Sequence, residues 1–418
     1  MEVASNAQAN GFGRRTFALL WGGASVSSLG TAVTAVALPL IAVVTLHSSS
    51  FQVGLLSAAD YAAWIFLGLS AGVLVERLRR RPVMIACDLL RAAVLVSVPI
   101  ATVWGLLSLV QLIVVALVVS IGGIFFDISF QVYLPGVLSA DQLVSGNSKL
   151  QGAAAAAEIG GPALGGALVQ VLGGPVTLIL DVASYLVSAL SFGLVRNREP
   201  AVERSAHQPM LPQIRHGLHV VVGDPVLRPL MLAAAGINAG IGAVNALQVI
   251  FLVRTVHAPA GLVGLLLAAG GLGGVLGAVV AGRLAGRFGD ARALTWSVLV
   301  GRVFALLIPL TVAGPGLVFF VVGAFGTTAS TVLFSVLARS YRQRVVSTDL
   351  LGRVTATNRF VSWGVIPLGA LCAGGLGELL GVRPALWVVC LASLALTPSP
   401  ILLSPLRGRR DLVEDEHR

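Results

Sequence analysis

Long apolar runs separated by short polar turns set the pattern of the chain. A helix that crosses a bilayer needs about 20 mostly apolar residues. Runs of that kind fall at 17–45, 51–75, 83–104, 107–130, 150–172, 176–195, 227–253, 260–281, 293–313, 315–338, 354–377 and 384–404. The turn-forming string Ala313-Gly314-Pro315-Gly316 separates the ninth from the tenth. The pattern therefore predicts an all-α membrane protein of twelve transmembrane helices. Six lie on each side of a polar stretch at 196–226.

A burst of charge between the second and third runs, Gly72-Val-Leu-Val-Glu76-Arg77-Leu-Arg79-Arg80-Arg81-Pro82-Val-Met84, has a weaker copy about 210 residues later at Gly282–Leu294. Two copies at half-chain distance predict two pseudo-symmetric six-helix bundles. The expected layout is a cytoplasmic tail at 1–16, a first bundle at 17–195, a cytoplasmic linker at 196–226, a second bundle at 227–404 and a cytoplasmic tail at 405–418. The linker holds Pro200, Pro209 and Pro212, then a helical stretch at Leu211–Val222 with Ile214, Leu218 and Val221 at helical spacing. The polar last tail is expected to be disordered.

Composition fits lipid as the solvent: 56% of the 418 residues are hydrophobic and 11% charged, against about 25% charged in soluble domains. The net charge of +10 would point to nucleic acid in a soluble chain. Here no stretch pairs basic residues with stacking aromatics, so no nucleic-acid partner is expected. Basic residues crowd the even-numbered connections and the tails, whereas the odd-numbered connections hold only Arg254 and Arg383. The asymmetry predicts both termini in the cytoplasm of a multi-pass protein of the plasma (bacterial inner) membrane.

There is no phosphate-binding loop around Lys149, the sole lysine, and no zinc-binding or nucleophile-elbow motif. Cys87, Cys372 and Cys390 sit in apolar runs at no metal or redox spacing. Enzymatic function is not expected, nor is a cofactor or a metal.

The charged turn after the second helix resembles the loop motif of the major facilitator superfamily, Gly-x-Leu-Ala-Asp-Arg-x-Gly-Arg-Lys-x-x-Leu. Gly72, Leu74, Arg77, Arg80 and Arg81 match it, while Glu76, Arg79 and Met84 depart from it. The second copy keeps Gly282, Leu284, Ala285, Arg287, Gly289 and Leu294 but has Gly286 where the acid belongs. Gly161-Pro162-Ala-Leu-Gly165-Gly166 in the fifth helix resembles the signature of the superfamily's antiporters, with Ser148 and Ala157 where upstream glycines are usual. Close helix packing is the plainer reading of these small residues.

Asp88-Leu-Leu-Arg91-Ala, Asp181-Val-Ala-Ser-Tyr185-Leu, Asp224-Pro-Val-Leu-Arg228 and Gly352-Arg353-Val-Thr-Ala-Thr-Asn358-Arg359 are similar to the macrolide-efflux and enterobactin-exporter-like group. The resemblance covers 14–404 and implies alternating access with export of lipophilic drugs or siderophores against protons. Thr31 stands where many relatives have Asp. The resemblance also implies an inner latch of Glu76, Arg77, Arg80 and Asp127 between the halves. Further, it implies a midplane cavity lined by the first, fourth, seventh and tenth helices. That nominates Asn238, Asn245, Gln248 and Thr34, with Ser25 and Thr31; such residues could instead bond neighbouring helices.

Charges within apolar helices are costly, so each is a functional candidate. Asp60 and Glu158 sit near the middle of their helices with no basic residue three or four positions away, and are the proton-coupling candidates; hydrogen-bonded structural acids are the alternative. Asp88 and Arg91, three apart, are expected to neutralise each other as a structural pair. Asp181 and Glu378 are expected near the outer ends, meeting water or headgroups, and Arg359 is expected to snorkel without an acid partner.

The sequence thus predicts a secondary active exporter of amphipathic, drug-like molecules by proton antiport. A siderophore or metabolite exporter unrelated to drug resistance is the alternative within transport, and a membrane sensor or scaffold the alternative outside it. The expected partners are a small-molecule substrate, protons and the lipid bilayer, with the chain working as a monomer.

Overall fold

The structure, a computed structural model, describes residues 2–67, 74–75, 78–138, 140–195, 218–408 and 411. These residues form helices and turns, with no strand among them. The first six helices are α1 (Glu2–Leu40), α2 (Ser50–Leu67), α3 (Arg80–Val103), α4 (Leu109–Tyr133), α5 (Ala140–Leu172) and α6 (Gly174–Leu194). The second six are α7 (Leu227–Ile250), α8 (Ala260–Phe288), α9 (Asp290–Ala305), α10 (Leu317–Val345), α11 (Thr348–Gly364 and Ile366–Leu380, kinked at Val365) and α12 (Val382–Leu396). Eleven spans among the described residues are long and apolar enough to cross a membrane. The twelfth bundle member is α2, described as helix to Leu67 of the span expected at 51–75.

The two sets of six pack alike. Helix α1 lies on α5 and α6, α3 on α4 and α6, and α2 on α4; correspondingly α7 lies on α11 and α12, α9 on α10 and α12, and α8 on α10. The halves meet where α2 crosses α11 and α5 crosses α8. The repeat extends to backbone detail. Both α1 and α7 end in a π turn, Ile41–Thr45 and Phe251–Thr255, and both turns are followed by a histidine in the left-handed region, His47 (φ 50°) and His257 (φ 59°). A left-handed histidine is uncommon but tolerated. The two stand 257 − 47 = 210 residues apart, the spacing of the charged turns.

Large side chains such as Leu40, Leu95, Leu112, Phe192, Phe251 and Phe320 are fully buried between helices. Outward-facing Val103, Val171, Leu379 and Leu403 are at least 80% exposed, an apolar surface that only lipid can cover.

Helix ends depart from the hydropathy boundaries. Helical backbone starts at Glu2 rather than 17 in α1, and at Ala140 rather than 150 in α5. The apolar run marks only the part inside lipid, while helical hydrogen bonding continues through polar residues beyond it. The last tail is partly ordered: Pro405–Gly408 forms a 3-10 turn, Leu406 is 1% exposed, and Asp411 accepts a hydrogen bond from the Asp290 N–H at 3.3 Å. Of the linker, 196–217 lie outside the described residues. Asp224 accepts from the Val226 and Leu227 N–H groups at 2.7 Å and starts α7. Arg81 donates to the terminal α6 carbonyls of Phe192 (2.7 Å) and Gly193, where a cation complements the helix dipole.

Candidate functional site: a cavity shared by the halves

The packing leaves a cavity of about 660 Å³ between the two sets of six helices. Thr31 and Thr34 (α1), Asp60 and Tyr61 (α2) and Glu158 and Pro162 (α5) line it from the first half. Asn245 and Gln248 (α7), Arg302 (α9), Thr327, Thr328 and Thr331 (α10) and Ser393 (α12) line it from the second. Both central acids are exposed residues on this wall. Asn238, half-buried on α7, does not line it. Between these polar groups the wall is aliphatic, with Val36, Leu56, Val119, Val244, Leu267 and Val389. On the second half's wall Asn245 Oδ1 accepts from Gln248 Nε2 at 3.0 Å, and Tyr61 lines the same cavity from the first half.

Behind the α1 wall lies a buried charge network. Asp88 and Asp181 are 0% exposed and Arg91 5%. Arg91 pairs with Asp88 at 3.5 Å, donates to Thr31 Oγ1 at 3.4 Å, and stacks over the Tyr185 ring at 4.2 Å. Asp181 does not meet water or headgroups, contrary to expectation from its place near a helix end. It accepts from Thr34 Oγ1 at 2.5 Å and from Ser184 Oγ at 2.8 Å, because α1 and α3 pack over that face of α6. A Cβ at Gly122 would sit 2.8 Å from Arg91 Cγ, so α4 makes room for the arginine by omitting one. Thr31 and Thr34 face this network and the cavity together.

At the end away from the N-terminal helix start, the halves close on small residues. A Cβ at Gly166 would lie 2.7 Å from Gly264 Cα, and one at Gly54 would lie 2.8 Å from the Ala370 carbonyl oxygen. The Gly-Pro-x-x-Gly-Gly string is divided between two partners. Gly161 and Gly165 pack against Ala32 and Val33 of α1, whereas Gly166 meets α8 across the halves, and the Pro162 carbonyl faces Gly264. Three polar contacts bridge the same end. Arg254 Nη2 donates to the Val43 carbonyl (3.2 Å), the Gly261 N–H to Gln170 Oε1 (2.8 Å), and the Phe51 N–H to exposed Glu378 (3.4 Å).

At the basic end, the guanidinium of Arg359 on α11 sits 4.2 Å from the Trp64 ring of α2 and 4.5 Å from that of Trp363, the two rings meeting edge-on at 5.2 Å. No ion pair joins Arg359 to an acid among the described residues; Asp127, exposed on α4, lies within electrostatic range of Arg359 and Arg91. Among the described residues no hydrogen bond joins Asp127 to Arg80. Glu76 and Arg77, the other members of the expected latch, lie outside the described residues. Trp64→Ala is expected to weaken this contact by about 1–2 kcal/mol. A reporter cysteine at Ser57, in a background without Cys87, Cys372 and Cys390, should then react faster with a thiol reagent added from the basic end; an unchanged rate would count against the contact.

The model of the transmembrane secretion effector family matches residues 7–409. The chain belongs to this family. As a transmembrane secretion effector it is a transporter of the major facilitator type, not an enzyme. It is 28% identical to the multidrug efflux pump Tap of Mycolicibacterium fortuitum, over 94% of this chain and 95% of that protein. It is 21% identical to macrolide efflux protein A of Streptococcus pyogenes, over 88% and 90%. The nucleoside transporter NupG matches in fold with a TM-score of 0.78 at 13% identity, covering 94% of this chain and 99% of that one. A bacterial homologue of ferroportin in its inward-facing state gives 0.74 at 17%, with the same coverage.

Proposed function

We propose that this secretion effector exports amphipathic small molecules in exchange for protons, by alternating access of the central cavity. The observation that carries the reading is the pair of carboxylates, Asp60 and Glu158, on the wall of a mostly aliphatic cavity built by both halves. A carboxylate in such surroundings can take up a proton when the substrate leaves and lose it when the substrate returns. The efflux roles in the names of the similar proteins support export as the direction. The crowding of arginines at one end supports placing that end, and both termini, in the cytoplasm. The end closed by Gly166, Gly264, Gly54 and Gly374 is then the outer one, and the Trp64–Arg359–Trp363 contact belongs to the inner gate, with Asp127 near it. The latch in this reading includes Arg359 beside Glu76, Arg77, Arg80 and Asp127.

Purified protein in proteoliposomes with an imposed pH gradient tests this. Gradient-driven movement of rhodamine B, an amphipathic dye, is expected. It should fall at least about tenfold in Glu158→Gln and in Asp60→Asn, the loss that about 1.4 kcal/mol of coupling would give, while dye counterflow without a gradient persists. Gradient-driven movement at the wild-type rate in both variants would remove these carboxylates from the proton path.

A further inference from the structure

The two bundles carry one arginine each at nearly corresponding places, displaced by one residue from the 210-residue repeat, and they are treated differently. Arg302 stands 302 − 91 = 211 positions after Arg91. In the first half the arginine is met by Asp88 from its own helix and faces Asp181 on α6. In the second half the residue three before the arginine is Leu299, the repeat equivalent of Asp88 is Val298, and α12 supplies Ser393 to the arginine. Arg302 is 3% exposed, its Nη1 donates to Ser393 Oγ at 3.2 Å and its Nη2 to Thr331 Oγ1 at 3.4 Å. Its Nε is buried with no hydrogen-bond partner. No carboxylate among the described residues pairs with it. The Cys390 thiol lines the same part of the cavity wall as Arg302. Yet Arg302 lines the central cavity.

A buried cation met only by neutral hydroxyls carries a large desolvation cost, and a counter-ion that reaches it with good hydrogen-bond geometry offsets part of that cost. The cavity is where one can arrive. Room for the guanidinium is built in, since a Cβ at Gly240 would lie 3.1 Å from Nη1. The facing half contributes the opposite sign, Asp60 and Glu158, to the same cavity.

We infer that Arg302 is a substrate subsite for an anionic group, so that the cavity selects zwitterionic amphipathic compounds. The acid of the substrate sits on Arg302, Ser393 and Thr331, and its amine faces Asp60 and Glu158. The volume of about 660 Å³ and the aliphatic wall suit a ring system between the two charges better than a small anion. The inference deepens the export reading and rests on it for the identity of the cavity as the substrate site.

Rhodamine B and its methyl ester differ in one respect that matters here: the ester lacks the carboxylate. Binding of each to purified protein in detergent, followed by fluorescence anisotropy, is expected to favour the acid about tenfold, the range of one charge-assisted hydrogen bond. The preference should disappear in Arg302→Gln and survive in part in Arg302→Lys, which keeps the charge. Size-exclusion profiles identify a variant that fails to fold, and in that event Gly240→Ala, which crowds Nη1, should reduce the preference in its place. Equal binding of acid and ester by the wild type, or a preference that survives in Arg302→Gln, overturns the anion subsite and leaves the export reading standing. No saturable binding of either dye counts against both.

Discussion

Arg91→Leu is expected to prevent stable folding of the first bundle rather than merely slow transport. The substitution leaves Asp88 and Asp181, both 0% exposed, without the cation they face. Removing one partner from a buried charge network costs about 3–5 kcal/mol, a large share of the roughly 5–15 kcal/mol that keeps a typical protein folded. Arg91→Lys should fall between, because a lysine keeps the charge but loses the flat stacking on Tyr185 and the second donor to Thr31. Intrinsic-fluorescence melting of purified protein measures the effect. The companion variant Arg91→Leu with Asp88→Asn and Asp181→Asn should recover much of the loss, since no bare charge is left inside. A melting temperature for Arg91→Leu close to wild type would show that the network is dispensable.

Gly264→Leu should abolish export while leaving the protein folded. A Cβ there would lie 2.8 Å from Gly166 Cα and closer still to the Pro162 carbonyl oxygen, and neither backbone atom can rotate away. Overpacking of this kind costs about 1–3 kcal/mol. Because α5 and α8 belong to different halves, separation of the halves at that end relieves it. About 2.7 kcal/mol moves a two-state equilibrium about a hundredfold, so the variant should rest open at this end. A cysteine at Val36, which lines the cavity and is 4% exposed, should become reactive to a membrane-impermeant reagent added on that side. Normal dye transport together with a protected Val36 cysteine would mean that this crossing does not gate the cavity.

The architecture was legible because lipid leaves the chain little freedom: each crossing must be a run of apolar residues, and the repeated charged turn marks the midpoint. Four residues nominated for the cavity, Thr31, Thr34, Asn245 and Gln248, line it, and so do the two proton-coupling candidates Asp60 and Glu158, since depth along a helix can be counted from its ends. What counting cannot supply is the rotation and neighbourhood of each helix. Asp181 departs from the expectation for that reason: its distance from a helix end says nothing of α1 and α3 packed over it. A readable sign was present, for Thr31 and Thr34 on α1 and Ser184 and Tyr185 on α6 mark polar faces at helical spacing. Arg359 meets Trp64 across 359 − 64 = 295 residues of chain, a pairing no local pattern encodes. The sequence around Arg302 does not encode that its neighbours on α10 and α12 offer hydroxyls where Arg91 meets a carboxylate.

The placement of Asp88 three residues before Arg91 on one helix has a consequence for biosynthesis. As α3 leaves the ribosome, its two charges can neutralise each other within a single turn, so the helix can enter the bilayer before α6 exists to supply Asp181. Helix α9 brings Arg302 with no acid of its own in reach, and its hydroxyl partners Thr331 and Ser393 lie on α10 and α12, which are made later. The second bundle must therefore hold one helix at the translocon, or let its arginine reach toward headgroups, until the last helix of the chain has been made.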